Sequence, residues 1–216
     1  MTTSHPTPHH IRSAALVAGL SLLALAVLAA LANFGVLERL VTPGDAARTA
    51  ADIRAAEGLF RSGVAGLLLV AVLDVVAAWA LLAFFRPAHE GIATLAAWLR
   101  AVYAGVFAVA IAQLAGVPGA DPAQASAKID TFHDIWQAGL LLFGVHLVLL
   151  GHLAYRSGYA PRLLGVLLVI AGLGYLVDSL GVILVPGFAP TASMFTFVGE
   201  ALLMLWLLIK GRNITI

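Results

Sequence analysis

The sequence contains no cysteine, and only 11% of its 216 residues are charged. The first absence removes disulfides, thiolate nucleophiles, Cys-ligated zinc and iron–sulfur clusters, and leaves the redox compartment unreadable. The second takes the chain out of the soluble class, in which about a quarter of residues are charged. Sequence signatures of chemistry are also missing. There is no Gly-x-Ser-x-Gly elbow for a serine hydrolase, no phosphate loop and no dinucleotide fingerprint. The formal net charge of +1 favours no nucleic-acid partner. No internal repeat stands out, which counts against an inverted-repeat transporter.

What the chain has instead is apolar length. Hydrophobic residues make up 62% of it, and the mean hydropathy is +1.01. Runs of about 20 apolar residues, enough to cross a bilayer, fall at residues 11–37, 58–85, 92–117, 131–155, 163–185 and 192–209. Turn chemistry separates them. Thr42-Pro43-Gly44-Asp45 is a turn leading to a helix N-cap. Arg86-Pro87, Val117-Pro118-Gly119, Tyr159-Ala160-Pro161 and Pro186-Gly187 mark the other breaks. Ala30-Leu31-Ala32 has the look of a signal-peptide cleavage site. The run before it, from Ala14, is about 19 residues, too long for a signal-peptide core, so a retained first helix is expected. Hydrocarbon tolerates no open sheet edge. The expected architecture is therefore all-α: six transmembrane helices in one integral membrane domain over residues 1–216.

Between the first two spans, Ala46, Ala50, Ile53 and Ala56 recur at helical spacing and predict a short extracytoplasmic helix. Orientation follows from the basic residues at the ends of the spans and between them. One side carries Arg12, Arg86, Arg156, Arg162, Lys210 and Arg212; the other carries Arg39, Arg48, Arg54 and Lys128. The positive-inside rule then puts both termini in the cytoplasm. His5, His9 and His10 fall in a flexible N-terminal tail, and Asn213-Ile214-Thr215 fits a glycosylation sequon without meaning on a cytoplasmic tail. Ala14, Ala18, Ala26 and Ala30 share a face of the first span, as Gly165 and Gly172 do of the fifth. Such faces imply close helix packing, and they permit a homo-oligomer without requiring one.

Three acids interrupt the apolar runs: Asp74, Asp178 and Glu200. An ionised group in hydrocarbon costs at least about 2.5–3.5 kcal/mol, so it faces a protein interior, a cavity or a partner. Counting at 1.5 Å per residue puts Asp178 roughly 10 Å and Glu200 roughly 12 Å below the outer ends of their helices. Arg61 and the group His133, Asp134 and Gln137 belong to the same outer half, while Asp74 and His146 sit deeper. Asp178 shares a face with Gly174, Tyr175 and Gly181. One reading is a polar pocket open to the outside, built from Asp178, Glu200, Arg61, His133, Asp134, Gln137 and Tyr175, with Asp74 and His146 below. The other gives each acid a single partner, such as Asp178 with Arg61, and a role in packing alone. Arg100 is expected to snorkel towards the cytoplasmic interface. His133, Asp134 and Glu200 form a weak metal candidate. His146 and His152 lie on different faces of one helix and cannot chelate together. No cofactor is predicted.

The segment Arg156-Ser157-Gly158-Tyr159-Ala160-Pro161-Arg162-Leu163-Leu164-Gly165, continuing to Ala171-Gly172-Leu173-Gly174-Tyr175-Leu176-Val177-Asp178, resembles the signature of the DUF4386 family of bacterial membrane proteins. The stretch Asp45…Ile53…Glu57-Gly58-Leu59-Phe60-Arg61 and the run His146 to Leu153 resemble it too. The resemblance implies a bacterial inner-membrane protein of several helices. The family is one of unknown function, so no catalytic residue carries over. Three functional classes remain open. The favoured one is a protein that binds or transports a small molecule in the polar pocket. The alternatives are an intramembrane enzyme with a His/Asp/Glu site, and a structural or regulatory subunit whose polar groups only pack helices. Partners other than the lipid bilayer and a small-molecule ligand are not implied.

Overall fold

A computed structural model describes residues 8–214, without the side chains of Pro8, His9, His10 and Arg212. The tail histidines and Thr215 of the sequon thus lie outside the described side chains. Among the described residues there is helix and no strand. The order is α1 (Pro8–Ala32), a π-turn (Asn33–Leu37), α2 (Glu38–Leu40), α3 (Ala46–Ala55), α4 (Glu57–Phe85), α5 (Glu90–Ala115), α6 (Pro122–Arg156), α7 (Arg162–Leu184), α8 (Ala192–Thr196), α9 (Val198–Ile209) and a 3-10 turn (Gly211–Asn213). Among the described residues, six helical stretches are long and apolar enough to cross a membrane: Ile11–Leu40, Glu57–Phe85, Glu90–Ala115, Pro122–Arg156, Arg162–Leu184 and Ala192–Ile209. They coincide with the six expected spans. The fourth starts nine residues earlier than expected, at Pro122 rather than Thr131. Its extra turns have a local cause: Asp121 accepts the Gln124 N–H at 2.9 Å, and proline suits the first helical position.

The short helix predicted after the first span is α3. Asp45 caps it, accepting the Arg48 N–H at 2.9 Å, and Thr49 closes the preceding turn by hydrogen bonds with Thr42. The proline turn between α4 and α5 is tied by an ion pair of Arg86 and Glu90. The last span is interrupted at Phe197, which separates α8 from α9.

The described chain forms two compact units. One comprises the chain up to Leu23, Asp74–Tyr103 and everything from Leu140; the other comprises Ala24–Leu73 and Ala104–Gly139. In the first unit α6 and α7 pack antiparallel through glycines. A Cβ on Gly151 would lie 2.6 Å from the Gly165 carbonyl oxygen, and one on Gly172 would lie 2.6 Å from that of Gly144. The reciprocal positions are as tight, so the two backbones touch where side chains would hold them apart. The Arg-Ser-Gly-Tyr turn between these helices is anchored by Tyr159, whose hydroxyl donates to the Phe84 carbonyl at 2.9 Å. That carbonyl is among the last of α4 and has no intrahelical donor. In the second unit, Val36 of the π-turn packs against Gly63 of α4 where any side chain would collide, and Phe107, Phe132 and Trp136 form an aromatic cluster.

Candidate functional site

Five spans of the first unit each contribute one polar side chain to a single cluster, in which Asp74, Arg100 and His146 are buried and Tyr175 and Glu200 half-buried. Asp74 comes from α4, Arg100 from α5, His146 from α6, Tyr175 from α7 and Glu200 from the first turn of α9. Asp74 and Arg100 are each 3% exposed, and His146 is fully buried. The Arg100 guanidinium donates from Nη2 to Asp74 Oδ1 at 2.5 Å, and its Nη1 lies 3.4 Å from His146 Nε2. The other imidazole nitrogen, Nδ1, is 2.8 Å from the Ala96 carbonyl oxygen. A carbonyl can only accept, so Nδ1 carries the hydrogen and Nε2 turns its lone pair to the guanidinium.

Aromatic rings close the space around the cation. The Arg100 carbon Cζ stands 5.2 Å from the Phe143 ring centre, and Phe143 in turn packs on Tyr103 and edge-on against Tyr175. Cation–π attraction of this kind is worth about 2 kcal/mol once desolvated. The Tyr175 hydroxyl donates to the Glu200 carboxylate, which also lies within electrostatic range of Arg100 and Asp74. Two buried polar atoms in this cluster have no hydrogen-bond partner among the described residues: Arg100 Nε and Glu200 Oε1.

This geometry corrects several expectations. Arg100 does not snorkel. Its partner Asp74 lies at the same level within the helices, so the guanidinium has no need to reach the interface. Glu200 does not belong with Asp178 in an outer group; it joins Asp74, His146 and Tyr175. Counting down from helix ends misplaced it because the helices are unequal, 29 residues in α4 and 35 in α6 against 12 in α9. Asp178 is held by backbone groups: its carboxylate accepts the Ala192 and Ser193 N–H groups at 2.9 and 2.7 Å. These are orphan donors at the start of α8, where Thr191 makes no side-chain cap. Arg61, expected as the partner of Asp178, is 60% exposed along its side chain and pairs with Glu57 one turn away at 2.7 Å.

His133, Asp134 and Gln137 lie on α6 in the second unit, with His133 against the Phe132 ring and Asp134 exposed. Among the described residues no three His, Asp or Glu side chains are placed to hold a metal, so His133, Asp134 and Glu200 do not make the metal site considered from sequence. The residues that sequence reasoning missed are Arg100 and Phe143. A signal for Arg100 was present: Pro87, at the turn between α4 and α5, stands midway in sequence between Asp74 and Arg100. Two helices running from one turn put such residues at one depth.

Comparison with known proteins agrees with the helical reading. The family described as "Domain of unknown function (DUF4386)" matches residues 17–211. A protein of the archaeon Archaeoglobus fulgidus, described as "Uncharacterized protein", is 38% identical over 152 residues, covering 70% of this chain and 85% of its own length. No solved structure matches. The chain belongs to the DUF4386 family, and its archaeal relative shows that such proteins are not confined to bacteria.

Proposed function

From this membership and the buried cluster, we propose that the chain is a multi-pass membrane protein that binds or transports a small polar molecule. Asp74, Arg100, His146, Tyr175 and Glu200 are its contacts. The observation that carries the reading is the Asp74–Arg100 pair, buried in the midst of apolar helices. As a stabilising device such a pair is poor. Removing two charges from water costs several kcal/mol per ion, and well-packed apolar residues of the same volume do as well or better. Hydrogen bonds between membrane helices average only about 0.6 kcal/mol. A set of ionisable groups on five helices is therefore better explained by a ligand or ion than by packing. The unpartnered Arg100 Nε and Glu200 Oε1 offer one donor and one acceptor to such a ligand.

The site unites Glu200 and Tyr175 of the pocket expected from sequence with Asp74 and His146 below it, while Asp178 and Arg61 make their bonds elsewhere. Both termini face the cytoplasm, on the strength of six basic residues against four, and the membrane is the plasma membrane, as the family resemblance implies. The test is a thermal-shift screen of purified protein against amino acids, organic acids, amines and sugars, followed by flux in proteoliposomes. A ligand that stabilises the wild type is expected to lose at least tenfold in affinity in Asp74→Asn and Glu200→Gln. Equal binding and equal flux in wild type and both variants would overturn the reading.

A further inference from the structure

We propose that Glu200 is a proton-binding site inside the membrane, taking one exchangeable proton on its unpartnered oxygen Oε1. The argument is one of charge and geometry. The cluster holds two carboxyl groups and one guanidinium. Asp74 engages that guanidinium directly at 2.5 Å, His146 Nε2 faces its second terminal nitrogen, and Phe143 covers its face. His146 cannot act as a second cation there, because a hydrogen on Nε2 would point at the guanidinium while Nδ1–H is already given to Ala96. Tyr175 supplies one hydroxyl donor to Glu200 and no charge. Tyr103 is the other phenol within electrostatic range of Tyr175 and brings no cation.

One negative charge thus stays in excess whenever both acids are ionised. It lies among apolar helices, where an unbalanced charge is expensive. An alkali cation would need several oxygen ligands, whereas the group bonded to the Glu200 carboxylate is the Tyr175 hydroxyl, with Asp74 in electrostatic range and already given to Arg100. A proton needs one lone pair. It adds to Oε1 while Tyr175 continues to donate to the other oxygen, and it leaves by the same atom. Asp74, Arg100, Tyr103, His146 and Tyr175 are the charged and titratable groups around the site. The site itself stands on the cluster geometry; that its proton is the ion moved with a transported ligand rests on the transport reading.

Infrared difference spectroscopy of the full-length protein in lipid tests the site directly. The wild type is expected to show a carboxylic acid carbonyl band that shifts in D2O, fades as pH rises, and is lost in Glu200→Gln. Asp178→Asn should retain it. Glutamine has nearly the shape of glutamate, and circular dichroism checks that the variant is helical. Should Glu200→Gln fail to fold, Tyr175→Phe serves instead: removal of the hydroxyl donor should keep the band and move its frequency. A spectrum in which neither Glu200→Gln nor Tyr175→Phe alters any titrating carboxyl band overturns the proposal. So does loss of the band on adding sodium or potassium chloride at constant pH, which would make the occupant an alkali cation. A band that behaves as expected in a protein showing no flux leaves the proton site standing and defeats the transport reading; flux without the band does the reverse.

Discussion

Asp74 and Arg100 are the pair on which the cluster turns, and the cost of breaking it is asymmetric. Replacing Asp74 by leucine strips the buried guanidinium of its hydrogen-bonded counter-charge, with Glu200 the remaining carboxylate in electrostatic range, and should destabilise by up to about 3–5 kcal/mol. Replacing both, as Asp74→Leu with Arg100→Met, removes the stranded charge and should recover most of that loss. Unfolding in detergent measures both, and a double variant no more stable than the single one would show that the cluster's role in folding is not electrostatic. Outside the spans, Tyr159 gives a pH signature. Burial pushes its phenol above the ordinary value of 10.0, so the folded protein keeps a proton that the unfolded chain releases. Its contribution is intact below about pH 10 and falls as pH rises further. Tyr159→Phe should lose roughly 0.5–1.5 kcal/mol near neutrality, the worth of its bond to Phe84, and should show a shallower decline in stability above pH 10. An unchanged alkaline limb would mean that Tyr159 is not buried as described.

At the scale of elements, α6 and α7 are held by glycines that the sequence spaces seven residues apart on each helix, Gly144 with Gly151 and Gly165 with Gly172. Seven residues make about two turns, so each pair lies on one face. The shared face of Gly165 and Gly172 is visible in the sequence; the facing pair on α6 became meaningful only once the two helices met. Gly151→Ala should force the backbones apart and cost about 1–3 kcal/mol, the usual range for overpacking. Gly66→Ala in α4 is the control, since a Cβ there meets nothing within 4 Å. It should be neutral or stabilising by up to about 1 kcal/mol, as alanine exceeds glycine in helix propensity. Melting temperatures of the two variants decide the matter: equal shifts would contradict the close contact of α6 and α7. The hairpin of α7 and α8 follows a different logic. Asp178, the last residue of the family-like signature, holds the first N–H groups of α8 and so fixes where the sixth span begins.

At the scale of the whole molecule, the absence of cysteine is an experimental convenience, because single-cysteine variants need no background removed. With both termini cytoplasmic, as proposed, Ala88→Cys in the turn after α4 should react with an impermeant thiol reagent only from the cytoplasmic side. Ala47→Cys in α3 should react only from the opposite side. The reverse pattern would invert the topology without touching the cluster.

Composition, run length and turn chemistry were enough to determine six membrane-spanning helices, the short helix α3 and its cap at Asp45. Each of these depends on residues close in sequence, and in hydrocarbon the backbone has no alternative to the helix. The acids were also visible, because charge in an apolar run is conspicuous wherever it packs. Their partners were not. A partner depends on which helices adjoin and on how far each extends, and neither is written in any one span. Tertiary structure therefore decided that Arg100 is buried with Asp74, that Glu200 joins them through Tyr175, and that Asp178 accepts the first N–H groups of α8.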